Sequence, residues 1–523
     1  MKDDSFTPVD IPFVGNEGLR VRMGDDVSPI DFFELYVTAD MIELFVRETN
    51  RYAGQYMAQH KDSMKEHSYA QQWKPTDANE MKTFLGLIFL MGVVYKPRLS
   101  MYWSTDELYS TPIFSQVMTR DRFLVLLKFW HFADNMDPSY DVRDPNRDKL
   151  HKVRPLIDMM RSRCKRVYAP GKYLSVDESL VLFKGRLGFK QYIRTKRARF
   201  GIKMYEICTS NGVTLDFLVY CGRGMFSDDD PNSELSTTER IAANLIEPYL
   251  GDGHCLFTDN FYTSPKLAEH LLANNTYLCG TVKKGRKNFA KDLVKENLEK
   301  GDAAFYSNSK GVLGVKYRAV QNKSGNKPKV VHMLSTLHKA NMVDTGKKDK
   351  DKNPILKPSC ILDYNRQMGG VDLVDQQLHS FHTLRKTYKW YRKLALRLLM
   401  QCMLNAHKAY QFQTGSKQDL LSFSHDIINI LMLSSPKLNR ELPMRDTVHR
   451  LTGRHFPAKK QPKEGAVDQR PKKKCRVCYA RGIRTAKGAP VETVWICQSC
   501  PSQPGLHIEQ GCFEAYHTQL NFS

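Results

Sequence analysis

Four aspartates in three short segments are the residues best suited to chemistry. Asp177 sits in Ser-Val-Asp-Glu-Ser-Leu, Asp259 in Phe-Thr-Asp-Asn-Phe-Tyr-Thr-Ser-Pro, and Asp372 and Asp375 in Met-Gly-Gly-Val-Asp-Leu-Val-Asp-Gln. Gaps of 82 and 113 residues separate Asp177, Asp259 and Asp372, so the fold has to assemble any shared site. Clustered carboxylates are hard oxygen ligands for Mg²⁺, and a pair of such ions supports phosphodiester cleavage. Each aspartate also has an ordinary alternative. Asp177 fits a solvated strand position, Asp259 a turn beside Asn260, and Asp372 a helix cap after Gly369-Gly370. Taken jointly, the metal reading is stronger. Asp177 interrupts an apolar strand, where a charge is costly without a partner. Asp259 follows a strand at its C-terminal end, the usual edge for sites in open α/β sheets. Asp372 and Asp375 share one helical face. Glu178 points to the opposite strand face and is the weaker candidate.

A second metal signal lies at the C-terminus. Cys475, Cys478, Cys497, Cys500, His507, Cys512 and His517 include two Cys-x₂-Cys knuckles separated by 18 residues, a spacing specific for Zn²⁺. Seven candidates fit one ion with spare residues, or two interleaved sites completed by a ligand from elsewhere, hence one or two Zn²⁺ per chain. The other cysteines, Cys164, Cys208, Cys221, Cys255, Cys279, Cys360 and Cys402, are scattered singly. They read as reduced core residues of an intracellular protein, not as a disulfide framework.

The 523 residues carry a net charge of +23, unevenly spread. Residues 1–50 hold eleven acids against four bases, so the remainder is more basic still and suits a polyanion such as DNA. The densest internal tract is Lys184, Arg186, Lys190, Arg194, Lys196, Arg197, Arg199 and Lys203, interleaved with Phe183, Phe189, Tyr192 and Phe200. It follows the Asp177 strand, where a scissile phosphate needs neutralising partners. A second tract contains Arg385, Lys386, Lys389 and Trp390. Tyr388, Trp390 and Tyr391 could stack on bases, with at least one expected in the core. Lys459-Lys460 and Arg470 to Arg476 form a two-part basic signal suited to nuclear import or to phosphate contact. No secretory signal is expected after Met-Lys-Asp-Asp. The longest apolar stretch, Phe84 to Tyr95, is too short to span a bilayer, so no membrane partner is expected.

These residues need a scaffold of several domains. Residues 1–28 are acidic, lack periodicity and are expected to be disordered. From 29 to 171 the pattern is helical, with Thr76 or Asp77 capping one helix. At 172 it changes to strand, strand, strand, helix, strand, helix, strand, ending at 284. Ser210-Asn211-Gly212 marks a hairpin. That order is the order of an RNase H-like core lacking its last helix. Residues 285–358 interrupt it as an insertion domain with short strands near Gly314–Val320 and Val330–Leu334. Residues 359–382 then supply the missing helix. A second helical segment spans 383–456, a basic linker 457–474 and a cysteine-rich zinc-binding domain 475–523. The fold class is therefore multidomain α+β.

With these features assembled, the chain resembles the piggyBac family of DNA transposases. The resemblance runs from about Asp31 to the C-terminus. It rests on Tyr102-Trp-Ser-Thr105, Met118-Thr-Arg-Asp-Arg-Phe123, Ser175-Val-Asp-Glu-Ser179, Thr258-Asp-Asn-Phe-Tyr262, Asp363-Tyr-Asn365 leading to Gly-Gly-Val-Asp372, Gly453-Arg-His-Phe-Pro457 and Cys512-Phe-Glu-Ala-Tyr-His517. It implies that the two helical segments form one dimerisation and DNA-binding domain. It also implies that Asp177, Asp259 and Asp372 are catalytic, with Asp375 as a fourth metal-associated aspartate around two Mg²⁺, Mn²⁺ being an acceptable substitute. The implied reaction is cut-and-paste transposition at TTAA sites. Transposon ends are nicked, pass through hairpin intermediates, and their 3′-hydroxyls join target DNA. The implied partners are the terminal inverted repeats, TTAA target DNA, a second copy of the chain and the nuclear import machinery. The implied location is the nucleus. The acidic N-terminal extension common in the family is short here. The alternative is a domesticated, non-catalytic nuclear DNA-binding protein of the same ancestry.

Overall fold

Runs of β-branched and aromatic residues build a nine-stranded sheet that carries Asp177 on one strand and Asp259 just beyond the end of another. The computed structural model describes residues 1–24, 26–64, 68–138, 140–141, 143–194, 199–222, 225–226, 230–320, 329–349, 352–381, 387–433, 451, 454–460, 471–500 and 502–519. The chain divides into two units, Met1–Thr111 with Thr119–Ser434, and Pro112–Met118 with Ser435–Ser523.

In the first unit the strands are β1 (Tyr173–Leu182), β2 (Gln191–Tyr192), β3 (Phe200–Thr209), β4 (Thr214–Val219), β5 (Cys255–Thr258), β6 (Tyr277–Thr281), β7 (Ala303–Ser307), β8 (Leu313–Arg318) and β9 (Val330–Ser335). Their order is β2-β3-β1-β5-β6-β9-β8-β7, with β4 also paired to β3. β3 is antiparallel to β1 and β4, whereas β1, β5 and β6 run parallel. Parallel neighbours require crossovers, and helices Thr237–Ile246 and Pro265–Ala273 supply them. Their Ile241, Leu245, Leu267 and Leu271 bury the face formed by Leu174, Val176, Ile207, Leu256 and Leu278. The opposite face of β1 is covered by helices Gly370–His379 and Trp390–Thr414. This is the expected RNase H-like core.

Residues 285–358 were expected to form an insertion domain. In the structure their strands β7, β8 and β9 extend the core sheet, because β9 pairs antiparallel with β6 and covers what is otherwise an open edge. Among the described residues of this segment, only Met342–Lys348 and Pro354–Pro358 pair separately. Residues 1–28 are a correction to the expected disorder. Asp3 N donates to Phe305 O at 3.0 Å and Ser307 N to Met1 O at 2.9 Å, so the chain start lies on the outer edge strand β7. Ile11 is buried, its N–H donates to the Tyr277 hydroxyl at 2.5 Å, and Gly18–Leu19 pairs with Tyr168–Ala169. Low hydrophobicity did not prevent order, because an unpaired strand edge supplied backbone partners.

The two helical segments pack on each other, as their split apolar faces require. Pro29–Tyr36 meets Trp390–Thr414 and Leu420–Leu433, and Ala78–Val93 meets Leu420–Leu433. Asp77 is the cap: its side chain accepts from Glu80 N at 2.8 Å. The helix Arg154–Val167 is tied to β4 by the buried Asp216, which receives Arg161 Nε at 2.7 Å and lies 2.9 Å from Lys165 Nζ. Among the described residues, no helix is long and apolar enough to cross a membrane.

One glycine sets how closely the Asp372 helix approaches the sheet. A Cβ on Gly370 would lie 2.4 Å from Thr209 O and 2.7 Å from Ser175 Oγ. Ser175 Oγ could rotate away, but Thr209 O is backbone and could not. Gly370→Ala is expected to lift the start of this helix at a cost of about 1–3 kcal/mol. Faster amide exchange across Gly370–His379 would register it; unchanged exchange would show the contact to be unimportant.

Candidate active site and cysteine-rich metal centre

The register of β1 against β5 brings the first two aspartates together. Ser175 pairs with Phe257 and Val176 with Thr258, so the next residues along the two parallel strands are Asp177 and Asp259. Residues two apart on a strand share a face, so Asp177 lies with Ser175 and Ser179, opposite the core residue Val176. That face is the one the Asp372 helix covers. Its first residue, Gly370, approaches Ser175. Further along, Asp375 is joined through Arg397 to Glu206, which pairs directly with Asp177 across β1 and β3. Asp177 therefore lies level with the second anchor point of the helix that carries Asp372. Among the described residues, no three of these carboxylates bring ligand atoms within 4.8 Å of one another.

Asp259 is held in a built turn. Its Oδ1 accepts from Phe261 N at 2.8 Å, and its carbonyl accepts from Thr263 N at 3.1 Å and Thr263 Oγ1 at 2.7 Å. The turn reading and the site reading are both realised. Arg286, from the segment after β6, clamps this turn by donating Nη2 to Asn260 O at 2.7 Å and Phe261 O at 2.8 Å. Burial raises the Asp259 carboxyl above its ordinary range, and the Glu178 charge raises it further. Tyr364, from the Asp-Tyr-Asn segment, is pushed up to about 12, mainly by burial and further by the charges of Asp259 and Asp177. Half-buried acids at adjacent strand positions repel, which is the condition a bound cation relieves. The oxygen donor set of Asp177, Asp259 and Asp372 fits a hard cation such as Mg²⁺.

Asp375 has a different engagement. Arg397 Nη2 donates to its Oδ1 at 2.6 Å and lies 3.5 Å from Glu206 Oε1. Glu206 is fully buried, hydrogen-bonded by Ser179 Oγ and by Gln401 Nε2 at 2.7 Å. Burial raises its carboxyl, with Arg397 opposing that shift. Glu206 and Arg397 were absent from the sequence-derived site. Glu206 lies in an alternating strand and Arg397 in a helix rich in basic residues, so only cross-strand and helix-to-sheet packing reveals them.

A cavity of about 1600 Å³ opens beside Asp372 and Asp375. Lys184, Lys190 and Arg199 of the expected DNA tract line it, with Phe200. Lys184, Arg186, Arg194 and Arg199 are exposed. Lys203 departs from the expectation: its Nζ lies 3.9 Å from Glu178 and 4.7 Å from the Phe261 ring, so it offsets an acid inside the protein. Lys196, Arg197, Arg385 and Lys386 lie outside the described residues. Lys389 and Tyr388 are exposed, Trp390 meets Phe189 edge-on at 5.3 Å, and Tyr391 is buried with its hydroxyl 3.0 Å from His131 Nε2.

In the second unit the metal candidates resolve into two groups: Cys475, Cys478, His507 and Cys512, and Cys497, Cys500, His517 and His455. His455 is the ligand the cysteine spacing left unidentified; it lay in the Gly-Arg-His-Phe-Pro segment. Cys478 Sγ is 3.6 Å from Cys512 Sγ and 3.5 Å from His507 Nδ1. His455 Nδ1 is 3.6 Å from Cys497 Sγ and 3.5 Å from Cys500 Sγ. Tetrahedral Zn²⁺ with ordinary bond lengths sets ligand atoms roughly 3.5–3.8 Å apart, so both groups fit the ion. Burial and the neighbouring Cys478 thiol push the Cys512 thiol up to about 12, since adjacent thiolates need a cation. The expected linker 457–474 is corrected at both ends. Pro457–Lys459 pairs with Trp495–Cys497 and Lys473–Lys474 with Glu492–Thr493, because the His455 ligand draws its flank into the module. Residues 461–470 of that linker, including Arg470 of the basic signal, lie outside the described residues.

A family model described as Transposase IS4 matches residues 28–407, and one described as a DDE_Tnp_1-like zinc finger matches 461–518. The chain belongs to the piggyBac-type transposase family. The human PiggyBac transposable element-derived protein 3 is 29% identical over 420 residues, covering 77% of this chain and 64% of that protein. The human PiggyBac transposable element-derived protein 2 is 26% identical over 423 residues, covering 78% and 66%. The chain thus spans about two thirds of the length of these curated relatives. The piggyBac transposase of a synaptic complex with hairpin DNA shares the fold with a TM-score of 0.68 at 23% identity, covering 93% of this chain and all of that one.

The Arg286 clamp is testable in this transposase-family chain. Loss of its two charge-assisted hydrogen bonds in Arg286→Ala should loosen the Asp259 turn by about 1.5–3 kcal/mol. The expected readout is roughly ten- to hundred-fold faster amide exchange at Tyr262 and Thr263. Exchange at the wild-type rate would mean the turn holds itself.

Proposed function

We propose that this chain is a cut-and-paste DNA transposase. The observation that carries the proposal is the β1–β5 register, which sets Asp177 beside Asp259 beneath the Asp372 helix in a chain of this family. Asp177, Asp259 and Asp372 are the catalytic carboxylates in this reading and would hold Mg²⁺. When bound, such ions supply an activated water or 3′-hydroxyl and charge stabilisation for the leaving oxygen. The chain's own residues provide the frame. Two strand positions and a packed helix fix the carboxylates, and the Arg286 clamp keeps the Asp259 turn from drifting. Lys184, Lys190 and Arg199, on the wall of the cavity that Asp372 lines, neutralise backbone phosphates of double-stranded DNA in this reading. The structural neighbour's hairpin DNA supports a hairpin intermediate here, and its synaptic complex supports two protomers holding two inverted-repeat ends. TTAA targeting and a nuclear location complete the reading. The exposed Lys459 with the half-buried Lys460, and the basic segment ending in Lys472–Arg476, are the import signal in this reading, although Lys473 Nζ also bonds Gln503 O at 2.7 Å within the module.

A second reading, a non-catalytic nuclear DNA-binding protein, is favoured by the human relatives being named as transposable element-derived proteins. Excision of a reporter flanked by the cognate ends separates the two. Asp259→Asn is expected to lower excision by about 10³-fold or more while end binding stays intact. Firm binding with no excision by the wild type would select the second reading.

The cysteine-rich module is proposed to hold two Zn²⁺, one in each group of four ligands. Metal analysis of the full chain should give two Zn²⁺, falling to one in His455→Ala and to one in His507→Ala. Unchanged zinc in His455→Ala would reject the second group as a site.

A further inference from the structure

Beyond the aspartates, a buried network under the Asp372 helix has a shape that simple packing does not explain. Arg397 presents one nitrogen, Nη2, to two acids, Asp375 at 2.6 Å and Glu206 at 3.5 Å. Its Nε is buried without a hydrogen-bond partner among the described residues, so the guanidinium is not locked by a full donor set. Glu206 is already prepared to hold a charge. Ser179 Oγ donates to its Oε1 and Gln401 Nε2 to its Oε2, and the residue is fully buried directly across the sheet from Asp177. Asp375, by contrast, is about one-third exposed and lines the cavity with Asp372. One cation therefore stands between an outward acid at the candidate site and an inward acid with no route to solvent.

We infer that Arg397 and Glu206 are positioning residues that control when Asp375 can ligate a metal ion, Arg397 passing from Asp375 to Glu206 as Asp375 turns to the site. The inference rests on the proposed metal-dependent reading. Without a bound ion, Arg397 neutralises Asp375 and pins the helix to the sheet. With one, Asp375 gains a stronger cation, and Glu206 accepts Arg397 with little rearrangement because its other hydrogen bonds are in place. No charge is left buried alone in either arrangement, which a lone arginine–aspartate pair could not achieve.

A double-mutant cycle on the full chain tests this, with Mn²⁺ as the probe and binding read from the electron paramagnetic resonance of free Mn²⁺. Glu206→Gln removes the charged acceptor and should weaken Mn²⁺ binding by about 10-fold. In an Asp375→Asn background, itself weaker, the same exchange should change affinity less than about two-fold, because its effect passes through Asp375. Additive losses would show that Glu206 acts only through its field and would overturn the inference. Arg397→Gln gives the same test with opposite sign: Mn²⁺ binding should tighten when Asp375 is present and not when it is Asn. Weaker binding in the former overturns the inference too. Failure of the wild type to bind Mn²⁺ would sink both the metal-dependent function and this inference, whereas binding with additive losses sinks the inference alone.

Discussion

Like charge held at close range is the constraint to which this fold answers. Asp177, Glu178, Asp259, Glu206 and Asp372 come from two central strands, the turn after β5 and one helix. Glu206 is fully buried and Asp177, Glu178 and Asp259 half-buried, where a charge is costly, while Asp372 is exposed. The structure separates the charges by role. Glu178 has Lys203 near it, Glu206 and Asp375 share Arg397, and Asp216 on β4 is offset by Arg161 and Lys165. Asp177 and Asp259 lie at adjacent positions on β1 and after β5, and Asp372 lines the cavity with Asp375.

The same constraint explains why the scaffold is so extended. A parallel β1–β5 register has to be enforced by crossovers, and a slip of one residue would turn Asp177 into the apolar core. The crossover helices Thr237–Ile246 and Pro265–Ala273 bury one face of the sheet. Helix Trp390–Thr414, buried almost all round, closes the other side and delivers Arg397 and Gln401 from below. Segments far from the aspartates in sequence, such as the Arg286 turn and the chain start on β7, then brace the core edges.

The cysteine-rich unit follows the same logic with softer ligands. Two groups of four draw on residues from 455 to 517, so each ion would cross-link distant chain segments. For a module whose own apolar core is a small cluster around Val477, Leu506 and Tyr516, such links substitute for buried area.

Much of this was legible before any tertiary contact. The strand and helix order follows from apolar periodicity, the hairpin from Ser210-Asn211-Gly212, and the Cys-x₂-Cys knuckles from spacing, since each is a short-range property of the chain. The aspartates could be nominated because charge within apolar strands is anomalous. Sequence did not identify His455, Glu206, Arg397 or Arg286, and it misjudged the chain start, because each of these depends on pairing across more than one element. A lone histidine, an acid in an alternating strand and an arginine in a basic helix carry no local anomaly. By itself, then, the sequence determined which residues were costly to leave without a purpose. Tertiary structure decided which of them share a counter-charge, because electrostatic partnership falls off over a few ångströms and that distance is set only by register and packing.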